Sequence, residues 1–120
     1  RFEELVTLKQ YGRESFIHQK PEAIDFELAR RGWQEAREAA ADRNYDIVVL
    51  DEIGIALHYK LIEPAEVLDF LKHKPSGVEL ILTGRNIPSE FFDLADLVTE
   101  MREIKHPYQK GIKARKGIEF

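Results

Sequence analysis

Three features of the sequence predict an α/β fold built on a parallel sheet. Short apolar runs without polar alternation recur along the chain, segments of helical period separate them, and two of the runs close on polar or charged residues. Continuous apolar strands are those covered on both faces, which is the situation of parallel, central strands. Strands that alternate with helices indicate a doubly wound sheet.

Taken in order, residues 3–9 read as a strand and residues 10–20 as a loop. A helix is expected from about Pro21, since proline suits the first helical turn, where its missing N–H is not needed. Phe26, Ala29, Trp33, Ala36 and Ala40 then recur at helical spacing and give one apolar face. Asp42-Arg43-Asn44 ends it. The run Ile47-Val48-Val49-Leu50 reads as a central strand that delivers Asp51-Glu52 to its end. A short helical stretch covers about 53–59, and another begins at Pro64 and stops before Pro75. Residues 78–82 form a second buried strand closed by Thr83-Gly84-Arg85-Asn86, residues 88–95 a short helix, and residues 97–104 a third apolar-rich strand. No repeat, low-complexity tract or Gly/Ser/Pro-rich linker divides the chain, so residues 1–120 read as a single domain or part of one.

Composition narrows the function classes. Hydrophobic residues at 43% with 33% charged residues are ordinary for a folded globular chain. No apolar run approaches the roughly 20 residues that span a bilayer, and no basic-then-apolar leader is present, so a cytoplasmic protein without membrane contact is expected. With no cysteine, disulfides, thiolate metal sites and a cysteine nucleophile are excluded. A net charge of −4 argues against a general nucleic-acid binder. The charge is uneven: residues 105–120 carry Lys105, Lys110, Lys113, Arg115 and Lys116 against Glu119, a local +4 that leaves the remainder at −8.

In an open parallel sheet, ligands sit beyond the carboxyl ends of the strands, which directs attention to Asp51-Glu52 and to residues 83–86. Apolar strand residues followed by two acids form the Walker B pattern, in which a carboxylate holds Mg²⁺ directly or through water. The same pattern is also how many strands end. Thr83, Gly84, Arg85 and Asn86 offer a hydroxyl, a flexible backbone and a guanidinium that can face a phosphate or ribose; they serve equally as an ordinary turn. The basic tail can close over an anion such as triphosphate, or be a solvated tail. Tyr11 to Ile17 is a loop whose Phe16 and Ile17 need covering. His18, His58, His73 and His106 have no metal-ligand spacing. The sequence contains neither GxGxxG nor GxxxxGK[ST], and no serine or threonine sits in a nucleophile elbow.

Val48-Val49-Leu50-Asp51-Glu52, Leu80-Ile81-Leu82-Thr83-Gly84-Arg85-Asn86 and the stretch from Asp93 to Met101 strongly resemble the ATP:corrinoid adenosyltransferase family. So do Lys105-His106-Pro107-Tyr108, Gly111-Ile112-Lys113-Ala114 and Lys116-Gly117-Ile118-Glu119-Phe120. The ordered likeness runs from about Trp33 to Phe120, and residues 1–32 match more loosely.

The resemblance implies a RecA-like P-loop fold and transfer of the 5′-deoxyadenosyl group of ATP to the cobalt of a reduced corrinoid, in cobalamin biosynthesis or salvage. Reduced Co(I) is the nucleophile in such chemistry, which agrees with the lack of a side-chain nucleophile. The resemblance makes Glu52 the Mg²⁺ ligand with Asp51 as second carboxylate, places Thr83, Gly84, Arg85, Asn86 and Lys113 toward ATP, and places Phe16 and Ile17 toward the corrinoid. Some family members carry a Trp in that last loop. A flavoprotein reductant and a homodimer follow from the same resemblance. The family's amino-terminal strand, phosphate loop, helix and second strand are not matched, so the chain is expected to be a C-terminal part that alone holds ATP weakly. A non-catalytic corrinoid-binding or regulatory module is the competing reading. A RecA-like motor ATPase would share the acid-ended strand but add an arginine finger and nucleic-acid loops.

Overall fold

In the computed structural model, residues 4–13 and 20–117 are described. Two strands, β1 (Ile47–Leu50) and β2 (Glu79–Leu82), pair in parallel with Leu50 opposite Leu82. Three helices accompany them: α1 (Ala23–Ala41) before β1, then α2 (Ile53–His58) and α3 (Pro64–Lys72) in the crossover from β1 to β2. A parallel pair requires such a crossover, because a tight hairpin can only return the chain antiparallel.

One face of the sheet builds the core. Leu50 and Leu82 pack against a buried cluster of Trp33, Ile53, Leu57, Ile62, Val67 and Phe91. The other face carries Ile47, Val49 and Ile81, which are 54%, 53% and 46% exposed. The expected parallel pair is present, whereas the expected cover on both faces is not: among the described residues only one side is packed. Strand alternation explains the split, since residues two apart share a face and neighbours oppose.

Other expectations are corrected. Residues 97–104 and 6–10 run without a ladder, and no backbone hydrogen bond joins either to another segment among the described residues. Residues 4 and 5 form a turn. An apolar, extended sequence becomes a strand only beside an edge that accepts it, and neither segment has one within the described chain. The helix expected over 88–95 is a 3₁₀ turn at Ser89–Phe91. Helix α1 starts at Ala23 with Glu22 as its cap, so Pro21 lies just outside it.

Helix α1 is fixed at three levels. At its start, the buried Asp25 accepts the Glu22 N–H at 2.8 Å and a two-pronged bond from Arg13, both prongs 2.7 Å. The Glu22 amide, and then Arg13, hold the Asp25 carboxyl below its ordinary range. Midway, Glu35 accepts from Lys9 Nζ (2.6 Å), the Tyr11 hydroxyl (2.5 Å) and Arg31 Nε (3.1 Å). The Tyr11 ring rests directly on Gly32, where a Cβ would lie 2.7 Å from the ring. On the opposite side, Trp33 donates from Nε1 to Glu66 Oε1 at 2.7 Å, meets Phe70 edge-on at 5.3 Å, and carries the Arg37 guanidinium 5.5 Å above its ring. Trp33 and Ala40 of the expected apolar face are buried, Ala29 and Ala36 partly so, and Phe26 stays at the margin.

Two outcomes test this packing. Leu57 is 2% exposed, so Leu57→Ala should cost about 2–5 kcal/mol in urea unfolding. Leu97, 82% exposed, should tolerate alanine within about 0.5 kcal/mol. Equal losses at the two positions would mean that residues 97–104 are packed. The second outcome concerns acid. Lys9 first, then Tyr11 and Arg31, lower the Glu35 carboxyl from 4.5 to about 2. Its folded-state value is depressed, so its contribution is whole above about 4.5 and is lost as pH falls through about 2. Glu35→Gln should therefore flatten the fall in melting temperature across that window. An unchanged acid limb would contradict the cluster.

Candidate functional site

The register of the pair sets the carboxyl ends of β1 and β2 side by side. Beyond β2, the Thr83 N–H donates to the Leu50 carbonyl at 3.1 Å and carries the ladder one step further, beside Asp51. There the Thr83 hydroxyl donates to Asp51 Oδ1 at 2.6 Å and accepts the Glu52 N–H at 2.9 Å. The Thr83 carbonyl accepts the Gly54 N–H at 3.3 Å. The amide, hydroxyl and carbonyl of Thr83 are thus all spent on the strand end and turn that carry the acids.

That turn is locally costly. Glu52 precedes α2 with φ 57 and ψ 24, the left-handed region, which disfavours a residue with a Cβ by on the order of 1 kcal/mol. The bond from its N–H to Thr83 helps to hold it. Asn86 has φ 60, which asparagine tolerates better than most residues. Gly54 and Gly84 let the two loops touch: a Cβ on Gly54 would stand 2.3 Å from the Arg85 carbonyl oxygen, and one on Gly84 2.8 Å from the Gly54 nitrogen. Gly84 also has φ 129, which side chains other than hydrogen rarely permit.

The result is an open acidic shelf. Asp51 and Glu52 are both exposed, and Asp51 Oδ2 and the Glu52 carboxylate accept no hydrogen bond among the described residues. No cluster of three or more His, Cys, Asp or Glu side chains forms among the described residues. Two oxygen-bearing acids beside each other suit a hard cation that keeps waters and shares phosphate oxygens, as Mg²⁺ does, rather than one caged by protein alone. Arg85 and Asn86 stand exposed on the next turn. A groove of about 510 Å³ lies elsewhere, along α1 between Lys9, Arg31, Glu35 and Tyr45; its charged groups largely satisfy one another.

Of the residues singled out in the sequence, the structure brings together Asp51, Glu52, Thr83, Gly84, Arg85 and Asn86. Lys113 sits in the exposed stretch after the 3₁₀ turn Pro107–Lys110, and no hydrogen bond or ion pair ties it to the acid turn among the described residues. Phe16 and Ile17 lie outside the described residues. Sequence reading missed Gly54, whose need for bare space depends on a contact across the sheet that no local pattern encodes. It also missed the Thr83–Asp51 bond, which only the strand register reveals.

Known proteins resemble this chain over most of its length. The family model described as ATP:corrinoid adenosyltransferase BtuR/CobO/CobP matches residues 1–120. A corrinoid adenosyltransferase of Sinorhizobium sp is 48% identical over 99 residues, covering 82% of this chain and 46% of that protein. One from Pseudomonas aeruginosa is 35% identical over 127 residues, covering 91% of this chain and 63% of that protein. One from Escherichia coli K12 is 35% identical over 96 residues, covering 80% and 49%. The chain thus spans roughly half to two thirds of the length of these relatives. With a family match along its whole length, the chain belongs to the ATP:corrinoid adenosyltransferase family.

Proposed function

We propose that the protein carrying this chain transfers the 5′-deoxyadenosyl group of ATP to the cobalt of a reduced corrinoid. The observation that carries this reading is the family match over residues 1–120, joined to an acid turn at the carboxyl edge of the parallel pair. In the reaction, Co(I) supplies the electron pair of the new Co–C5′ bond. The C5′–O bond breaks, and triphosphate departs with its bonding pair. No side-chain nucleophile is called for, and the protein's part is positioning and charge.

Glu52 and Asp51 hold Mg²⁺, which when bound offsets the negative charge of the polyphosphate. Arg85 presents a planar fork of donors suited to phosphate oxygens. Gly84 and Asn86 shape the backbone beside the nucleotide, and Lys113 with the basic tail faces the departing triphosphate. Phe16 and Ile17 contact the corrin ring. The fold read here is the carboxyl-terminal part of a RecA-like core; its phosphate-binding loop belongs to a segment that this chain does not match. A flavoprotein reductant delivers the electron that makes Co(I), and the protein works in the cytoplasm as a homodimer. The exposed sheet face of Ile47, Val49 and Ile81, and strand edges that no described residue pairs with, support association. No helix of the described residues is long and apolar enough to cross a membrane.

Two measurements test the reading. In a form as long as its relatives, the protein should convert Co(I) corrinoid and ATP to the alkylated product, followed by the visible spectrum. Glu52→Gln should lower kcat by roughly 10²-fold. Turnover unchanged by that substitution would remove Glu52 from the site, and no turnover by the unsubstituted protein would reject the activity. Light scattering of the 120-residue chain should give at least a dimer; a 14.0 kDa monomer at all concentrations would refute association through the bare sheet.

A further inference from the structure

Thr83 stands nearest of the 83–86 turn to the acids, and its bonding decides what it can do. A threonine hydroxyl has one proton to donate and two lone pairs to accept with. The Thr83 proton goes to Asp51 Oδ1 at 2.6 Å, and one lone pair takes the Glu52 N–H at 2.9 Å. Phosphate oxygens only accept at neutral pH, so a hydroxyl already donating to a carboxylate has nothing to offer them. What it does control is the pair of acids. One bond orients the Asp51 carboxylate, and the other keeps Glu52 in its left-handed conformation, which sets the direction of the second carboxylate.

We propose that Thr83 is a positioning residue: its hydroxyl fixes Asp51 and Glu52 in the arrangement that takes a divalent cation, and it does not contact the nucleotide. This rests on the reading of the two acids as the cation site. Backbone bonds from the Thr83 N–H to Leu50 and from the Gly54 N–H to the Thr83 carbonyl join the same turn. Loss of the hydroxyl alone therefore leaves the strand ends in place and frees only the acids.

The test compares the 120-residue chain with Thr83→Val and Thr83→Ser. Amide hydrogen exchange at Glu52 reports the hydroxyl bond, and Mn²⁺ titration by water proton relaxation reports the acids. The valine variant should exchange the Glu52 amide faster and need about tenfold more Mn²⁺ for half-saturation, the equivalent of one charge-assisted hydrogen bond. Serine should restore both to within about twofold, because it keeps the donor and the acceptor. A valine variant with faster exchange but unchanged Mn²⁺ uptake would overturn the proposal, and so would unchanged exchange. No saturable Mn²⁺ uptake by the unsubstituted chain would instead overturn the cation-site reading beneath it. Should the valine methyl disturb the strand end, seen as a lost near-ultraviolet circular dichroism spectrum, Thr83→Ala gives the same comparison without added bulk.

Discussion

Leu50 stands opposite Leu82, and the parallel register fixed by that pairing decides where everything else lies. Because the two strands run the same way, their carboxyl ends finish at one edge, where Asp51 and Thr83 come within 2.6 Å. An antiparallel pairing would put them at opposite edges. A slip by one residue would exchange the faces of one strand, turning Leu50 or Leu82 outward and an apolar partner from the bare side inward. The crossover through α2 and α3 follows from the same constraint, and the side chains it brings back across the sheet, Ile53, Leu57 and Val67, make the core that holds the register. Strand order, core and acid turn therefore form one cooperative unit.

Helix α1 is attached to that unit differently on its two sides. Trp33 inserts into the core and spends its only polar atom on Glu66, so its burial leaves no donor unmet. The other side is held by charge. Lys9, Tyr11 and Arg31 converge on Glu35, and Arg13 on Asp25, which ties residues 9–13 to the helix although they form no ladder. One side of the helix is held chiefly by apolar burial, and the other by charge.

Much of this was legible in the sequence wherever a signal was local. Ile47-Val48-Val49-Leu50 announced a parallel strand, and the acids after it fell at its carboxyl end. Trp33 and Ala40 fell on the buried side of a helix found by its period. The residues 97–104 show the limit: apolar content states what a segment would bury, while a ladder needs a neighbour that the segment cannot specify. Local pattern was also silent on Glu52, whose left-handed backbone depends on a hydroxyl thirty-one positions away in sequence. Gly54 looked like one more residue of a short helix, and its role is set by a carbonyl from the other loop. The double coverage expected of β1 failed for a related reason, since an unbroken apolar run does not say which chain supplies the second layer.

The contact between Gly54 and residue 85 has a consequence for how such a site can vary. What presses on Gly54 is the carbonyl oxygen of Arg85, an atom that every amino acid supplies. The side chain at 85 takes no part in that contact. Geometry is therefore written in the main chain at 54, 84 and 85, while recognition is left to the groups that project from 85 and 86. A lineage, or an engineer, can exchange those groups to suit a different anion while the acids on the adjoining loop keep their place. The two are separable in this sense: the contact between the loops is made by main-chain atoms, which a substitution at residue 85 leaves in place, and recognition by side chains, which it changes.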